Sequence, residues 1–392
     1  MISIVNKLKL IFGPTIILLL LIYTEPSLAY PDFISYGYSS CITCHYNGHG
    51  GGALNDYGRA LYASEITSRN FFPKTMDEEE IAAKSGFLGT KALPWWFRPG
   101  LKYRGLWLKT DPGSASTIER FINMQTDFNL AVFADKKQSF TLVTTYSYAG
   151  KEPYYSKTNT WFLKEYYVRW KKSNNLWFYF GQLDKVFGIR NVDHTAVSRR
   201  SITLGQYDQS QGIVGHFTYP DWDFAINAFI GNAAQDTIEK QKGFSASGEY
   251  QVIEKFKIGA SVLSSQSEIT KWNLASISGR LGLTKGSALM MEAGLKEKTN
   301  KSSGAESELG TYGILESMVY LSRGYNLLSV IEHSKANIKR GTGESMRWSI
   351  GGLLFPFPRS EFRLMAVNAK SYAEESGTPD SWALQGQLHI SY

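Results

Sequence analysis

The end of the chain alternates without a break. Trp382, Leu384, Gly386, Leu388, Ile390 and Tyr392 fall on one face of an extended strand, and Ser381, Ala383, Gln385, Gln387, His389 and Ser391 on the other. An apolar face backed by a polar one is what a strand needs when lipid lies outside and water within. Read backwards, the same period-two pattern recurs in about sixteen segments. They centre near Tyr103, Asn123, Thr144, Tyr166, Phe178, Gly215, Ile226, Ser247, Gly259, Ile277, Met291, Leu315, Val330, Ile350, Met365 and Leu388. Short connectors are expected around residues 135–137, 173–174, 219–221, 253–254, 285–286, 323–324 and 357–359. Longer ones are expected near Pro112, Lys151, Asp193, Gln235, Gln266, Ser303, Gly341 and Ser376. Short turns alternating with long loops predict a transmembrane antiparallel β-barrel of about sixteen strands over residues 95–392, with both ends on the periplasmic side. A ring of that size leaves an aqueous lumen. A soluble sandwich or propeller also has many short strands, but no repeat at blade period is present. An aromatic content of 14%, with Tyr 23 and Trp 10, suits interfacial girdles.

The second constraint is Cys41-Ile42-Thr43-Cys44-His45, which holds both cysteines of the chain. Cys-x-x-Cys-His is the spacing of a c-type haem attachment site. Each thiol forms a thioether to one porphyrin vinyl group, and the histidine becomes the proximal iron ligand. Two other readings stay open at this point. Cys41 and Cys44 can form a structural or redox-active disulfide, or they can join His49 around zinc, though no second cysteine pair completes a tetrahedral shell.

Haem attachment requires export. Lys7 and Lys9 precede an apolar run from Leu10 to Tyr23, and Ser27-Leu28-Ala29 is a small-x-small cleavage signal. Residues 1–29 thus read as a secretory signal peptide, too short for a spanning helix. Without them the chain keeps 40 Lys/Arg against 34 Asp/Glu, and no Lys/Arg cluster points to nucleic acid.

Residues 30–91 form the small, mainly helical haem segment. The glycines at 48, 50, 51 and 52 read as a flexible turn; they lack the Gly-Lys-Ser/Thr ending of a phosphate loop. A helix is expected from Asn55 to Thr67, with its apolar face on the haem edge. Thr75-Met76-Asp77-Glu78 reads as a capping box opening a second helix. Met76 is the candidate distal iron ligand, because a loop can bring its thioether back to the haem. His49, one turn beyond His45, tends to stay on the same side of the ring. His216 and His389 fall on inferred lumen faces, as either polar lining or groups that approach a haem in the barrel mouth. The longest connector, about 184–211, holds Arg190, Asp193, His194, Arg199 and Arg200. It reads either as a solvated external loop or as a segment folded inward to constrict the lumen.

Pro31, Phe33, Gly37, Ser40-Cys41-x-x-Cys44-His45, Leu54 and Gly58-Arg59 resemble the N-terminal signature of the fused monohaem cytochrome–porins of bacterial outer membranes, whose best-known members are iron oxidases. The glycine cluster and the short connectors depart from that pattern. The resemblance implies one covalent haem c on Cys41 and Cys44, ligated by His45, on the periplasmic side or in the lumen. It further implies electron transfer between an extracellular small donor, Fe(II) among the candidates, and a periplasmic c-type cytochrome or other carrier. A diffusion porin with the haem segment as plug, and a haem enzyme such as a peroxidase, are the competing expectations.

Overall fold

The computed structural model describes residues 32–38, 40–84, 93–111, 116–148, 161–191, 193, 195–301, 306–372 and 380–392. The expected leader, His194 and the connectors near Pro112, Lys151, Ser303 and Ser376 lie outside the described residues.

Sixteen antiparallel strands make one closed ring. The first eight are β1 (Phe97–Asp111), β2 (Ile118–Phe133), β3 (Phe140–Tyr148), β4 (Trp161–Lys171), β5 (Leu176–Leu183), β6 (Ser210–Thr218), β7 (Trp222–Phe229) and β8 (Lys242–Ile253). The rest are β9 (Phe256–Gln266), β10 (Thr270–Gly282), β11 (Ala288–Asn300), β12 (Glu308–Ser322), β13 (Tyr325–Lys335), β14 (Glu344–Leu354), β15 (Ser360–Tyr372) and β16 (Asp380–Ser391). Each segment centre expected from the alternation falls inside its own strand. β1 closes on β16 from Lys102↔Ser391 to Asp111↔Trp382, so no backbone edge is left unpaired. The connector expected to be long near Gln266 is only 267–269. There the Ser267 hydroxyl accepts from the Thr270 amide at 3.1 Å and closes a tight turn.

The outer face is apolar: Ile277 is 69% exposed, and Trp382 and Leu384 48% each. Aromatic pairs sit near both rims, Phe140 on Trp170 and Trp222 on Tyr250 at the short-turn end, Tyr148 on Trp161 at the other. The inner face is polar along most of its height, with Gln385, Gln387, His389 and Ser391 of β16 all buried.

The lumen is filled from the short-turn end by residues 32–84. Its elements are a 3₁₀ turn (Asp32–Tyr36), a second over Cys41–Thr43, helix α1 (Asp56–Ala63) and helix α2 (Glu78–Lys84). α1 begins where expected, with the Asn55 side chain accepting from the Gly58 amide at 2.9 Å. It stops sooner than the apolar spacing predicts. The Ser64 hydroxyl donates to the Ala60 carbonyl and Thr67 to that of Tyr62, so two side chains take up the last carbonyls of the helix. Asp77, not Thr75, caps α2, accepting from the Glu80 amide at 2.7 Å. The apolar face of α1 meets the barrel wall. Leu61, Tyr62 and Ile66 pack with Met318, Leu328, Val330, Leu353 and Met365, with Cys44 and Leu54 at the margin of the cluster. Here the polar inner face gives way to an apolar seat that matches the segment.

Polar contacts latch the segment to the rim. Arg323, in the β12–β13 turn, donates to the carbonyls of Thr67 (2.9 Å) and Ser64 (2.7 Å) and to both oxygens of Glu78. Arg59 is buried and donates to the Pro99 carbonyl at 2.6 Å. The hydrogen bonds from Arg323 hold the Glu78 carboxyl below its usual range. A depressed carboxyl stabilises above its unfolded pKa and loses that contribution as pH falls through the lowered one. Arg323→Ala removes hydrogen bonds from a charged donor, each about 1.5–3 kcal/mol when well shielded and less at this half-exposed rim. The expected result is faster proteolysis of residues 64–84 by about tenfold, with the barrel intact. Acidification should produce the same loosening in the wild type and less of it in Glu78→Gln.

Candidate functional site

The chain from Cys41 to Asn55 folds on itself inside the lumen. The Cys44 and His45 amides donate to the Cys41 carbonyl, making a single helical turn that brings the two thiols and the imidazole together. A hairpin follows. Tyr46 N–H donates to Ala53 O and Asn55 N–H to Cys44 O, and His45 bridges Leu54. Its bend is the glycine cluster, which proves compact. Gly50, Gly51 and Gly52 have φ of 81°, 71° and 58°, a left-handed run that only glycine adopts freely. Added side chains there would also strike Arg190 of the β5–β6 connector at Gly51 and Glu165 of β4 at Gly52.

Cys41, Cys44, His45 and His49 line a cavity of about 200 Å³, within an open space of about 1900 Å³ when adjoining solvent is included. Drug-sized ligand sites span about 300–1,000 Å³, so a group as large as a porphyrin would need the adjoining open space as well as the cavity. The roof comes from the long β5–β6 connector, which folds inward. In its short helix α3 (Val197–Arg200) Ser198 is buried, as are the nearby Ala196 and Ile202. Ser198 donates to Glu332 at 2.9 Å, the Ile189 amide to Glu292 at 2.6 Å, and Arg347 to the Thr195 carbonyl at 3.0 Å. Phe187, Ile202 and Leu204 pack on Phe229, Leu263 and Leu274.

Eight Lys/Arg side chains line the cavity against five Asp/Glu, an excess that suits an anionic group such as a porphyrin propionate. Lys102 donates to the Gly52 carbonyl, Arg190 pairs with Asp184, and Arg280 is clamped by Glu249. Burial, reinforced by Lys102 and Arg190, takes the His45 pKa down to about 3, so the ring is neutral and a lone pair is available to a metal. Burial, then His216, lowers His49 to about 3 as well. Burial pushes the Cys41 thiol up to about 11 and Cys44 to about 12, the opposite of what a redox-active dithiol needs. Among the described residues no three His, Cys, Asp or Glu are placed to hold a metal ion by themselves.

The buried nitrogens His45 Nδ1, His49 Nε2 and His389 Nε2 have no hydrogen-bond partner. Orphaned polar atoms on the walls of one cavity need an explanation, and a bound haem gives one. Of the other sequence candidates, His389 lines the cavity and Met76 does not. Met76 lies in the turn before α2, its amide donating to the Pro73 carbonyl. His216 is fully buried off the cavity, with Nε2 2.7 Å from Asp223, and packs against Gly48, where an added Cβ would lie 2.1 Å from His216 Nδ1. Its ring is 5.0 Å from that of His49. Sequence reasoning did not find Arg104 and Glu361, which flank His389. Their lumen parity was readable, but the register that brings them together was not.

No family model matches the chain, and no curated protein is similar to it in sequence. The fold does have relatives among solved structures. The outer membrane channel DcaP of Acinetobacter baumannii is 10% identical with a TM-score of 0.56, covering 76% of this chain and 97% of its own. An anion-selective porin from Comamonas acidovorans is 7% identical with a TM-score of 0.58, at 76% and 99% coverage. OprB of Pseudomonas putida is 8% identical with a TM-score of 0.59, at 76% and 94%. The chain has a porin fold.

Gly58 fixes the approach of α1 to the cysteine turn, since a Cβ there would lie 2.3 Å from the Cys44 carbonyl oxygen. Backbone cannot move aside as a side chain can. Gly58→Ala is expected to cost about 1–3 kcal/mol of packing. The check is faster cleavage of residues 40–63 by a protease, against an unchanged barrel.

Proposed function

We propose that the chain spans a bacterial outer membrane as a porin-like barrel and carries one covalent haem c in its lumen for one-electron transfer. The observation that carries this reading is the placement of Cys41, Cys44 and His45 on one helical turn lining the lumen cavity. Haem bound there supplies a one-electron Fe(III)/Fe(II) couple. Cys41 and Cys44 would tether it, and His45, held neutral by burial, offers the proximal nitrogen. The cationic wall would hold its propionates, and the inward loop limits the water that reaches the site. Hydrocarbon about 30 Å thick bars both metal ions and electrons. A small donor, Fe(II) among them, would reach the site from the loop side. A periplasmic c-type cytochrome or other carrier would take the electron at the short-turn side. The signature around Cys41–Arg59 supports membership of the cytochrome–porin group.

A diffusion channel with residues 32–84 as plug is the second reading. The likeness to porins favours it, and the cationic walls suit anions. Two measurements separate the readings. Protein from a host that matures c-type cytochromes should stain for haem after denaturing electrophoresis, and its haem should turn ferrous with Fe(II), at low or neutral pH, or with another small donor. Failure with every donor overturns electron transfer. Liposome swelling at porin rates, unchanged by His45→Ala, would establish the channel instead.

The lipid-facing reading is tested at Ile277, midway along β10. Ile277→Lys should cost about 2–4 kcal/mol of folding into vesicles, whereas Ile277→Val should be nearly neutral.

A further inference from the structure

We propose that His389 is the second axial ligand of the iron; the inference rests on the haem reading above and deepens it. Among the described residues, the imidazoles on the cavity are those of His45, His49 and His389, and no methionine lines it.

His389 comes from the barrel wall. It sits on β16 directly across from Arg104 of β1 and Glu361 of β15. Its Nδ1 lies 3.4 Å from Glu361 Oε2 and 3.3 Å from Arg104, while Nε2 is buried without a partner. The Glu361 carboxylate and the partnerless Nε2 favour the proton on Nδ1, against the Arg104 guanidinium, which can only donate. With the proton on Nδ1, the ring donates to the Glu361 carboxylate and leaves a lone pair at Nε2. With the proton on Nε2, a buried N–H would lack an acceptor, which costs about 1–3 kcal/mol. A carboxylate behind one nitrogen and a free lone pair at the other is how metal-binding histidines are oriented. Arg363, 3.8 Å from the far oxygen of Glu361, helps keep that carboxylate charged.

His389 and His45 line the same cavity. Lys102, two residues from Arg104 on β1, donates to the Gly52 carbonyl and so ties the hairpin that carries His45 to the strand beside His389. His49 is the weaker donor. It is tied to His45 through three intervening residues, and its ring packs on His216 of β6. A ligand from the wall is free of the Cys-x-x-Cys-His turn, so it can approach the porphyrin face that His45 leaves open.

The test is spectroscopic and uses the full chain with haem attached, in detergent. Ferric wild type should be six-coordinate and low-spin by absorption and electron paramagnetic resonance. His389→Ala should become high-spin, regain the low-spin spectrum with added imidazole, and in the ferrous state bind carbon monoxide at once, which the wild type resists. If His389→Ala assembles poorly, His389→Met serves, since it should replace the wild-type spectrum with that of a thioether-ligated haem. Glu361→Gln should keep the low-spin spectrum but let carbon monoxide compete about 10–100-fold better. A wild-type spectrum in His389→Ala or His389→Met, or loss of the low-spin signal in His49→Ala or Met76→Ala instead, overturns the assignment with the haem reading intact. Wild type without covalent haem overturns both.

Discussion

Closure of the sheet is the constraint on which everything else rests. Sixteen strands paired in sequence order satisfy every ladder and leave no edge. The same closure creates a lumen wide enough to hold water. In this chain the lumen is partly occupied. The leading segment seats itself from the short-turn end, and the β5–β6 connector folds in above it. Both are held by the same means, an apolar patch on an otherwise polar wall and a few charged side chains that satisfy loop carbonyls and amides. Met318, Leu328 and Val330 face inward because Leu61, Tyr62 and Ile66 cover them.

Most of the ring was legible in the sequence. A strand with lipid on one side and water on the other has to alternate, and sixteen stretches do so clearly enough to place each centre. The alternation says less about the connectors. Near Gln266 it runs almost unbroken into the next strand, and Ser267 makes the turn without a glycine or proline to mark it. Asn55 was readable as a cap because its effect is local. The end of α1 depended on Ser64 and Thr67 taking up carbonyls, a choice that helical spacing does not encode.

The site was legible as a motif but not as a place. The spacing of Cys41, Cys44 and His45 carries the haem reading. That they line the lumen, under a roof drawn from residues 184–209, depends on contacts between segments some 150 residues apart. The apolar face of α1, expected on a haem edge, meets the wall because only the assembled barrel presents a matching patch. Arg104, Glu361 and His389 lie on three strands, two of which are joined only when the ring closes. Their grouping could not be read before the register was known.

The position of Cys41 and Cys44 also bears on the order of events in making the protein. The sulfurs lie within the ring, beneath the inward loop and behind a segment latched to the rim. A protein-sized enzyme is too large for a lumen cavity of about 200 Å³. Under the proposed haem attachment, the group would have to be fastened while the leading segment is still outside, with modification first and seating in the barrel second.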